Sequence, residues 1–269
     1  MRLFRKPALQ TTFYTLLAGD KLQSEVRIAF LSDLHGEAFG EGQEQLFAPI
    51  RAFAPDLVLF GGDTFDERVP WETAVEILRL SAASWPTFYT PGNHEIKTGD
   101  VARIKKTAVA AGAHLLAGKC ARVPVHGGTL CLCGVEDPLR QEKLHRSQLT
   151  AAQNAIRPEI YTILITHRPE REQTYTAGKR SFDLILTGHA HGGQWRLPFL
   201  KNGFFAPDQG LFPPFAGGLR RLGTGYHICS RGLARYNTHV PRIGNDPELV
   251  LLTLCPGNES RKITPQKLR

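Results

Sequence analysis

The sequence predicts an α/β fold, and three observations support that prediction. Short apolar runs rich in Val, Ile, Leu and Phe recur along the chain, and helical patterns lie between the early ones. Polar residues follow directly on several of these runs. A chain of 269 residues is long for one domain but within the range of an α/β sandwich, so we expect a single domain with insertions.

Eight apolar runs have the length and composition of buried strands. They are residues 26–31, 57–60, 87–90, 130–135, 161–166, 182–187, 225–230 and 249–254. Four stretches between them have helical patterns, at 42–53, 71–82, 100–111 and 147–156. After residue 187 no helical pattern recurs. Gly, Pro and aromatic residues dominate there, and they predict an insertion loop at 196–222.

Both ends of the predicted domain, which spans 1–269, are expected to be extensions: an amino-terminal one at 1–24 and a basic tail at 256–269. The first begins with positive residues, as export signals do, but its apolar stretch at 13–18 is too short for such a signal. No segment approaches the roughly 20 apolar residues that span a bilayer. We therefore expect a cytoplasmic protein, with peripheral contact at the inner membrane face as an open alternative.

The formal charge is +8 at pH 7, from 33 Lys and Arg against 25 Asp and Glu. This excess suits an anionic small substrate, an anionic membrane face or nucleic acid, and it selects none of the three. The apolar fraction of 42% and the charged fraction of 22% exclude an intrinsically disordered chain.

Five cysteines are present, an odd number without the paired C-x-x-C spacing of a structural zinc site. They are Cys120, Cys131, Cys133, Cys229 and Cys255. We expect all five to be reduced thiols. Cys131 and Cys133 alternate on one predicted strand, which places both on the same face as packing residues.

Polar side chains able to bind a metal follow five of the predicted strands. They are Asp33, His35, Asp63, Asp66, Asn93, His94, His167, His189 and His191. Because open α/β sheets place their sites at the carboxyl ends of strands, we expect these side chains to lie close together. Carboxylate and amide oxygens with neutral imidazoles suit borderline divalent ions such as Mn, Fe or Zn.

The chain resembles the calcineurin-like metallophosphoesterases in five motifs between residues 26 and 195: Asp-x-His, Gly-Asp-x-x-Asp, Gly-Asn-His-Glu, a lone His, and Gly-His-x-His. The resemblance implies a four-layer α/β/β/α sandwich with two divalent ions, Mn, Zn or Fe. By position, Asp33, His35 and His191 would hold one metal, Asn93, His167 and His189 would hold the other, and Asp63 would bridge both. A hydroxide bridging the metals would attack phosphorus.

The same resemblance makes His94 the acid that protonates or steadies the leaving oxygen, with Asp66 orienting its ring. The alternative for Asp66 is a helix cap. Arg168 and Arg231 are candidates for clamping a non-reacting phosphate oxygen, because a guanidinium group matches phosphate geometry. For each arginine the alternative is a surface position or a structural ion pair.

Four stretches between residues 188 and 254 resemble the bacterial YaeI/YkuE-type phosphodiesterases, near which some UDP-diacylglucosamine pyrophosphatases fall. The expected function is hydrolysis of a phosphodiester or pyrophosphate, on a small molecule or on a lipid-linked or nucleotide-sugar-lipid substrate. A metal-dependent nuclease and a non-catalytic scaffold of the same fold are the alternatives. Nucleic acid is not expected, since no run of basic and aromatic residues is suited to track a strand. No protein partner is implied.

A cluster of apolar side chains follows the last motif and bears on the choice of substrate. Its members are Trp195, Phe199, Leu200, Phe204, Phe205, Leu211, Phe212 and Phe215. This cluster would line a trough for an acyl chain or contact a membrane surface. The alternative is a folded-back loop that packs its own aromatic side chains.

Overall fold

Two six-stranded sheets lie face to face in the computed structural model, which describes residues 7–197, 200, 202–235 and 240–257. The strands are β1 (Gln10–Leu17), β2 (Val26–Leu31), β3 (Leu57–Gly61), β4 (Thr87–Thr90), β5 (His114–Leu115), β6 (Cys120–Val125), β7 (Gly128–Gly134), β8 (Tyr161–Ile165), β9 (Leu184–Thr187), β10 (Phe205–Ala206), β11 (Gly210–Leu211), β12 (Gly218–Leu222), β13 (Gly225–Cys229) and β14 (Glu248–Cys255). The α-helices are α1 (Glu44–Phe53), α2 (Glu72–Ser84), α3 (Asn93–Lys97), α4 (Val101–Ala110), α5 (Glu142–Ala155) and α6 (Glu172–Thr176).

The first sheet has the order β1-β14-β2-β3-β4-β5, and its strands from β2 to β5 are parallel. The second has the order β12-β13-β9-β8-β7-β6, and its strands from β7 to β13 are parallel. Strands β6 and β12 close its edges in antiparallel pairing. In each sheet several parallel strands therefore end at the same edge, where the polar loops that follow them meet.

Alternation along the strands places three of the four apolar clusters between successive layers and so defines four layers. In β2, Ile28 and Phe30 point into the cluster between the sheets, while Ala29 and Leu31 point towards α1, α2 and α4. The outer face of the second sheet packs on α5 and α6. The predicted α/β/β/α order is confirmed. A fully buried side chain such as Phe30 contributes about 1.5–3 kcal/mol through its burial.

The predicted strands and long helices are confirmed with shifts of at most two residues at their ends, except that α5 begins at Glu142 and not at 147. The strands that were not predicted lie at the edges of the two large sheets or form the separate two-stranded sheet of β10 and β11. Residues 10–17, placed in the predicted amino-terminal extension, form β1 and pair with β14 in parallel. Strand β12 lies within the predicted insertion loop. An edge strand such as β6 alternates exposed and half-buried residues, so its sequence lacks the continuous apolar run of a central strand. Residues 258–269 of the predicted tail lie outside the described residues.

The expectation of five reduced thiols is wrong for two cysteines, because Cys120 and Cys133 form a disulfide. They stand directly opposite each other in the antiparallel pair of β6 and β7. The pairing depends on strand β6, which was not predicted, so the spacing of the cysteines did not reveal it. Cys131 is free and buried, and it shares with Cys133 the face that packs on α5.

None of the helices in the described ranges combines the length and the apolar character needed to cross a membrane.

Protein purified without reductant and then unfolded should be alkylated by iodoacetamide at three cysteines, because a disulfide has no thiol to react. Labelling should reach five only after reduction. Peptide mass spectrometry should locate the protected pair at Cys120 and Cys133. The control Cys229→Ser removes a free thiol and should lower both counts by one while keeping their difference at two. Five labelled cysteines without reduction would contradict the pairing.

Candidate metal centre

The nine candidate side chains converge on one buried region at the carboxyl ends of strands from both sheets. The loops after β2, β3 and β4 supply them from the first sheet, and the loops after β8 and β9 supply them from the second. No residue among them is more than 6% exposed. Charged and polar groups buried to this extent need partners or bound cations.

The structure brings six of the seven predicted ligands together in two groups of donor atoms. One group consists of Asp33, His35 and His191, and the other of Asp63, His167 and His189; within each, the atoms lie within 4.8 Å of one another. Asp63 lies between the groups, because its Oδ2 is 3.8 Å from His35 Nε2 and 2.9 Å from His167 Nε2. The two groups are therefore adjacent and share one carboxylate.

Asn93, the remaining predicted ligand, begins α3 directly after the loop that follows β4. Its Oδ1 atom is buried and makes no hydrogen bond to any described residue. A buried amide oxygen without a partner costs about 1–3 kcal/mol. A divalent cation beside Asn93 would supply that partner.

His167 and Asp63 are so close that a proton or a metal ion is required between Nε2 of the one and Oδ2 of the other. Nδ1 of His167 donates to the carbonyl oxygen of Gly61 at 2.9 Å, so in the neutral ring Nε2 carries a lone pair. This lone pair faces Asp63 Oδ2 at 2.9 Å, and two acceptors so close repel unless a proton or a metal ion offsets their charge. Burial lowers the pKa of His167, but the Asp63 and Asp33 carboxylates outweigh burial and raise the pKa to about 10.

Five of the predicted ligands have left-handed backbone conformations, which residues other than glycine rarely adopt. They are Asp33, His35, Asp63, His189 and His191, with φ between 45° and 66°. Backbone hydrogen bonds between neighbouring loops hold these conformations, for example from Asp33 N to Gly62 O at 3.0 Å and from His35 N to Asp63 O at 2.9 Å. Such strain costs about 1–3 kcal/mol per residue and is typical of functional sites.

Two glycines beside the centre are required by close approach rather than by a turn. A Cβ atom on Gly188 would lie 2.3 Å from Asp33 Oδ2, and one on Gly92 would lie 2.4 Å from Asp63 Oδ1. Neither glycine has a positive φ. The backbone of each thus fits directly against a candidate ligand, a position that no larger residue can take.

Glu95 is a buried residue of the centre that the sequence reasoning missed. Its carboxylate accepts hydrogen bonds from four backbone N–H groups, those of Gly92, Asp63, Thr64 and Phe65, at 2.7–3.0 Å. Burial, with the charge of Asp63, raises the pKa of Glu95 to about 7, against the effect of these donors. Glu95 ties the loop after β3 to the start of α3. The glutamate of the Gly-Asn-His-Glu motif is the sequence feature that could have identified it.

Asp66, predicted to orient His94, contacts two histidines in the structure. Asp66 Oδ2 lies 2.6 Å from Nδ1 of His35, a predicted ligand, and 3.3 Å from Nδ1 of His94. Nδ1 of His94 makes its shorter contact, 2.8 Å, with Glu67 Oε2. Burial opposes ionisation of Asp66, but hydrogen bonds from Arg68 and His35 hold its pKa well below the usual range. Asp66 therefore makes its shorter contact with His35, and Nδ1 of His94 lies between two carboxylates, with Glu67 the nearer one.

The His94 ring lies edge-on to His35, with 4.6 Å between ring centroids. Burial lowers the pKa of His94, opposed by the charge of Asp63. Its Nε2 atom is 3.3 Å from the Lys97 ammonium nitrogen, and its backbone N–H donates to Asp63 Oδ1 at 2.8 Å. His94 thus contacts the shared carboxylate through its backbone, while its ring is held at both nitrogens.

Both arginines proposed as a phosphate clamp take part in ion pairs. Arg168 contacts Asp137 at 2.6 Å and Asp208 at 2.5 Å, and Glu170 lies 3.5 Å away. Arg231 pairs with the buried Glu248 at 3.1 Å. The structure therefore favours the structural ion pair for both.

Comparison with known proteins agrees with the family resemblance that the motifs indicate. A family model described as calcineurin-like phosphoesterase matches residues 26–193. The uncharacterized protein YpbG of Bacillus subtilis is 30% identical over 85% of this chain and 80% of its own length. Phosphodiesterase YaeI of Escherichia coli is 27% identical over 85% of this chain and 82% of its own length. A transmembrane protein with metallophosphoesterase domain from Bos taurus is 28% identical over 86% of this chain, which spans only 53% of that relative.

Metal-free protein titrated with Mn²⁺ in a calorimeter should bind two ions, and Asp63→Asn should weaken both binding steps. We expect a loss of more than about 100-fold, because removing a shared ligand exceeds the 10- to 100-fold cost of losing a ligand's partner. Asp100→Asn is the matched control, since Asp100 caps α4 and asparagine caps helices equally well. Two unchanged binding steps in Asp63→Asn would contradict the shared role of Asp63.

Proposed function

This chain belongs to the calcineurin-like phosphoesterase family, as its motifs predicted, and from that premise we propose that it hydrolyses a phosphodiester or pyrophosphate bond at a pair of divalent metal ions. The observation that carries the proposal is the buried Asp63 carboxylate, which lies between two groups of potential metal-ligating side chains and is 2.9 Å from Nε2 of His167. Such a site is built to hold positive charge and to exclude bulk water.

The residues present fit two divalent ions. Asp33, His35 and His191 would hold one ion, Asn93, His167 and His189 would hold the other, and Asp63 would contact both. Oxygen and imidazole donors of this kind suit Mn, Fe or Zn. When bound, the pair supplies Lewis acidity towards the phosphoryl oxygens and lowers the pKa of the attacking water.

The protein's own part in the reaction is to orient ligands and to move a proton. The carbonyl of Gly61 fixes the His167 ring, and Asp66 fixes the His35 ring, so that each presents Nε2. His94 is proposed to protonate the leaving oxygen. Glu67 accepts a hydrogen bond from its Nδ1, so Nε2 is the ring atom that would carry the transferred proton, and the Lys97 ammonium nitrogen lies 3.3 Å from it.

An exposed aromatic rim beside the centre supports a substrate that carries an apolar group. We define this rim as Trp195, Phe204, Leu211 and Phe212. Trp195 stacks on Phe204 at 5.6 Å, Phe204 packs edge-on to Phe212 at 5.2 Å, and Leu211 and Phe212 are 60% and 62% exposed. Exposed apolar side chains in one patch are typical of a binding surface. A lipid-linked phosphodiester or pyrophosphate is the substrate class that this rim favours.

Not every member of the predicted aromatic cluster belongs to the rim. Phe215 is 6% exposed and packs edge-on against His227 at 4.8 Å. It serves as a core residue that attaches the insertion to the second sheet. Phe199 lies outside the described residues.

With Mn²⁺ present, His94→Ala should reduce kcat for bis-p-nitrophenyl phosphate by about 10²-fold, and more for a diester with a more basic leaving group. This follows because general-acid catalysis contributes about 10²- to 10⁴-fold and matters most for a poor leaving group. His114→Ala, at an exposed histidine of β5, is the control. An equal loss of kcat on both esters would contradict proton donation by His94. Full activity of His94→Ala would contradict any catalytic role of His94.

Replacing the rim with polar residues should separate lipid-linked from small substrates. Phe212→Ser with Leu211→Ser should lower kcat/KM for a UDP-sugar lipid by about 10- to 100-fold, because lost apolar contacts of this size cost about 1–3 kcal/mol. Hydrolysis of bis-p-nitrophenyl phosphate should be unchanged. Val109→Ser, at a 52% exposed position of α4, is the matched control. Equal kcat/KM with the lipid for wild type and the double variant would contradict the lipid-linked assignment.

A further inference from the structure

The turn between β10 and β11 contacts the candidate metal centre through one carboxylate. Asp208, the only acidic residue of the segment 196–222, lies in this turn with a left-handed φ of 57°. Its Oδ2 atom is 2.8 Å from Nε2 of His189, a predicted ligand. The insertion therefore reaches the centre by a side chain and not only by proximity along the chain.

We propose that Asp208 is a positioning residue that fixes the ring of His189 for metal binding. The inference rests on the proposed function, because it assumes that His189 holds one of the two ions. A neutral imidazole has one donor nitrogen and one acceptor nitrogen. Since the Asp208 carboxylate only accepts, Nε2 of His189 carries the hydrogen, and Nδ1 is left as the single atom able to bind a metal. Carboxylates that hold a ligating imidazole in this way strengthen metal binding.

The position of Asp208 is itself fixed from two sides. Arg168 Nη1 lies 2.5 Å from the same Oδ2 atom, and Arg168 is held in turn by Asp137. The following residue, Gln209, makes two hydrogen bonds with the backbone of Phe215, at 2.9 and 3.2 Å. Because Phe215 is buried, the turn that carries Asp208 is attached to the body of the domain. Asp208 can therefore hold His189 in place although the Asp208 side chain is half exposed.

A third metal site at this point is the competing explanation, and Arg168 argues against it. Ligand atoms of Glu170, His189 and Asp208 lie within 4.8 Å of one another, as in a metal site. The guanidinium group of Arg168 contacts Asp208 at 2.5 Å and lies 3.5 Å from Glu170. The positive charge that these carboxylates require is thus already supplied by the protein.

Co²⁺ binding to the metal-free protein tests the proposal, because affinity and the visible absorption spectrum report on ligands without any need for turnover. In Asp208→Ala, one of the two binding steps should weaken by about 10- to 100-fold, and the Co²⁺ spectrum of that site should change. Asp208→Asn should have a smaller effect, because the amide oxygen still accepts a hydrogen bond but lacks the charge. Asp208→Glu should restore part of the affinity.

Glu142→Gln is the matched control, because it removes an exposed carboxylate that pairs with Arg171 away from the candidate ligands. It should leave both Co²⁺ affinities unchanged. If Asp208→Ala lowers the melting temperature of the metal-free protein but binds both ions as wild type does, Asp208 is structural only and the inference is wrong, while the proposed function stands. If the wild-type chain binds no Co²⁺, the proposed function fails and the inference fails with it.

Discussion

The Asp63 carboxylate is the group on which the arrangement of the centre depends. Its Oδ1 atom accepts a hydrogen bond from the backbone of His94, and its Oδ2 atom faces His167. The backbone of Asp63 is also engaged: its N–H donates to Glu95, and its carbonyl accepts from His35. One residue thus joins loops after β2, β3, β4 and β8. A buried carboxylate with so many fixed neighbours is stable only where positive charge is supplied to it.

This concentration of charge explains why the surrounding backbone is strained and crowded. Asp63 reaches its position with φ at 52°, and Gly92 packs its backbone directly against the carboxylate. Both features destabilise the isolated loops, and the hydrogen bonds between neighbouring loops offset this free-energy cost. The rigid sheets beneath them make that pairing possible, because their parallel strands end together. Stability in the core of the sandwich therefore supports a strained site at its edge.

The sequence predicted the strands of this molecule that are buried on both faces, and it missed those at the sheet edges, which are partly exposed. Strand β3 is buried throughout and was identified by its apolar run, whereas β6 alternates exposed residues and was not. Likewise the candidate ligands stand in compact motifs. Whether Asp66 or Glu67 lies nearer to His94 depends on the direction of their side chains within one loop, and the spacing of residues in the sequence does not reveal that direction.

The insertion links the two halves of the proposed function. Asp208 contacts His189 on the inner side of the β10–β11 hairpin, while Leu211 and Phe212 lie exposed on the same hairpin. Three residues lie between Asp208 and Phe212, so the proposed positioning carboxylate and the rim belong to one short, hydrogen-bonded turn. Because Gln209 attaches that turn to the buried Phe215, the rim and the carboxylate keep a fixed position relative to the centre, and a substrate held at the rim would lie beside the histidine that Asp208 orients.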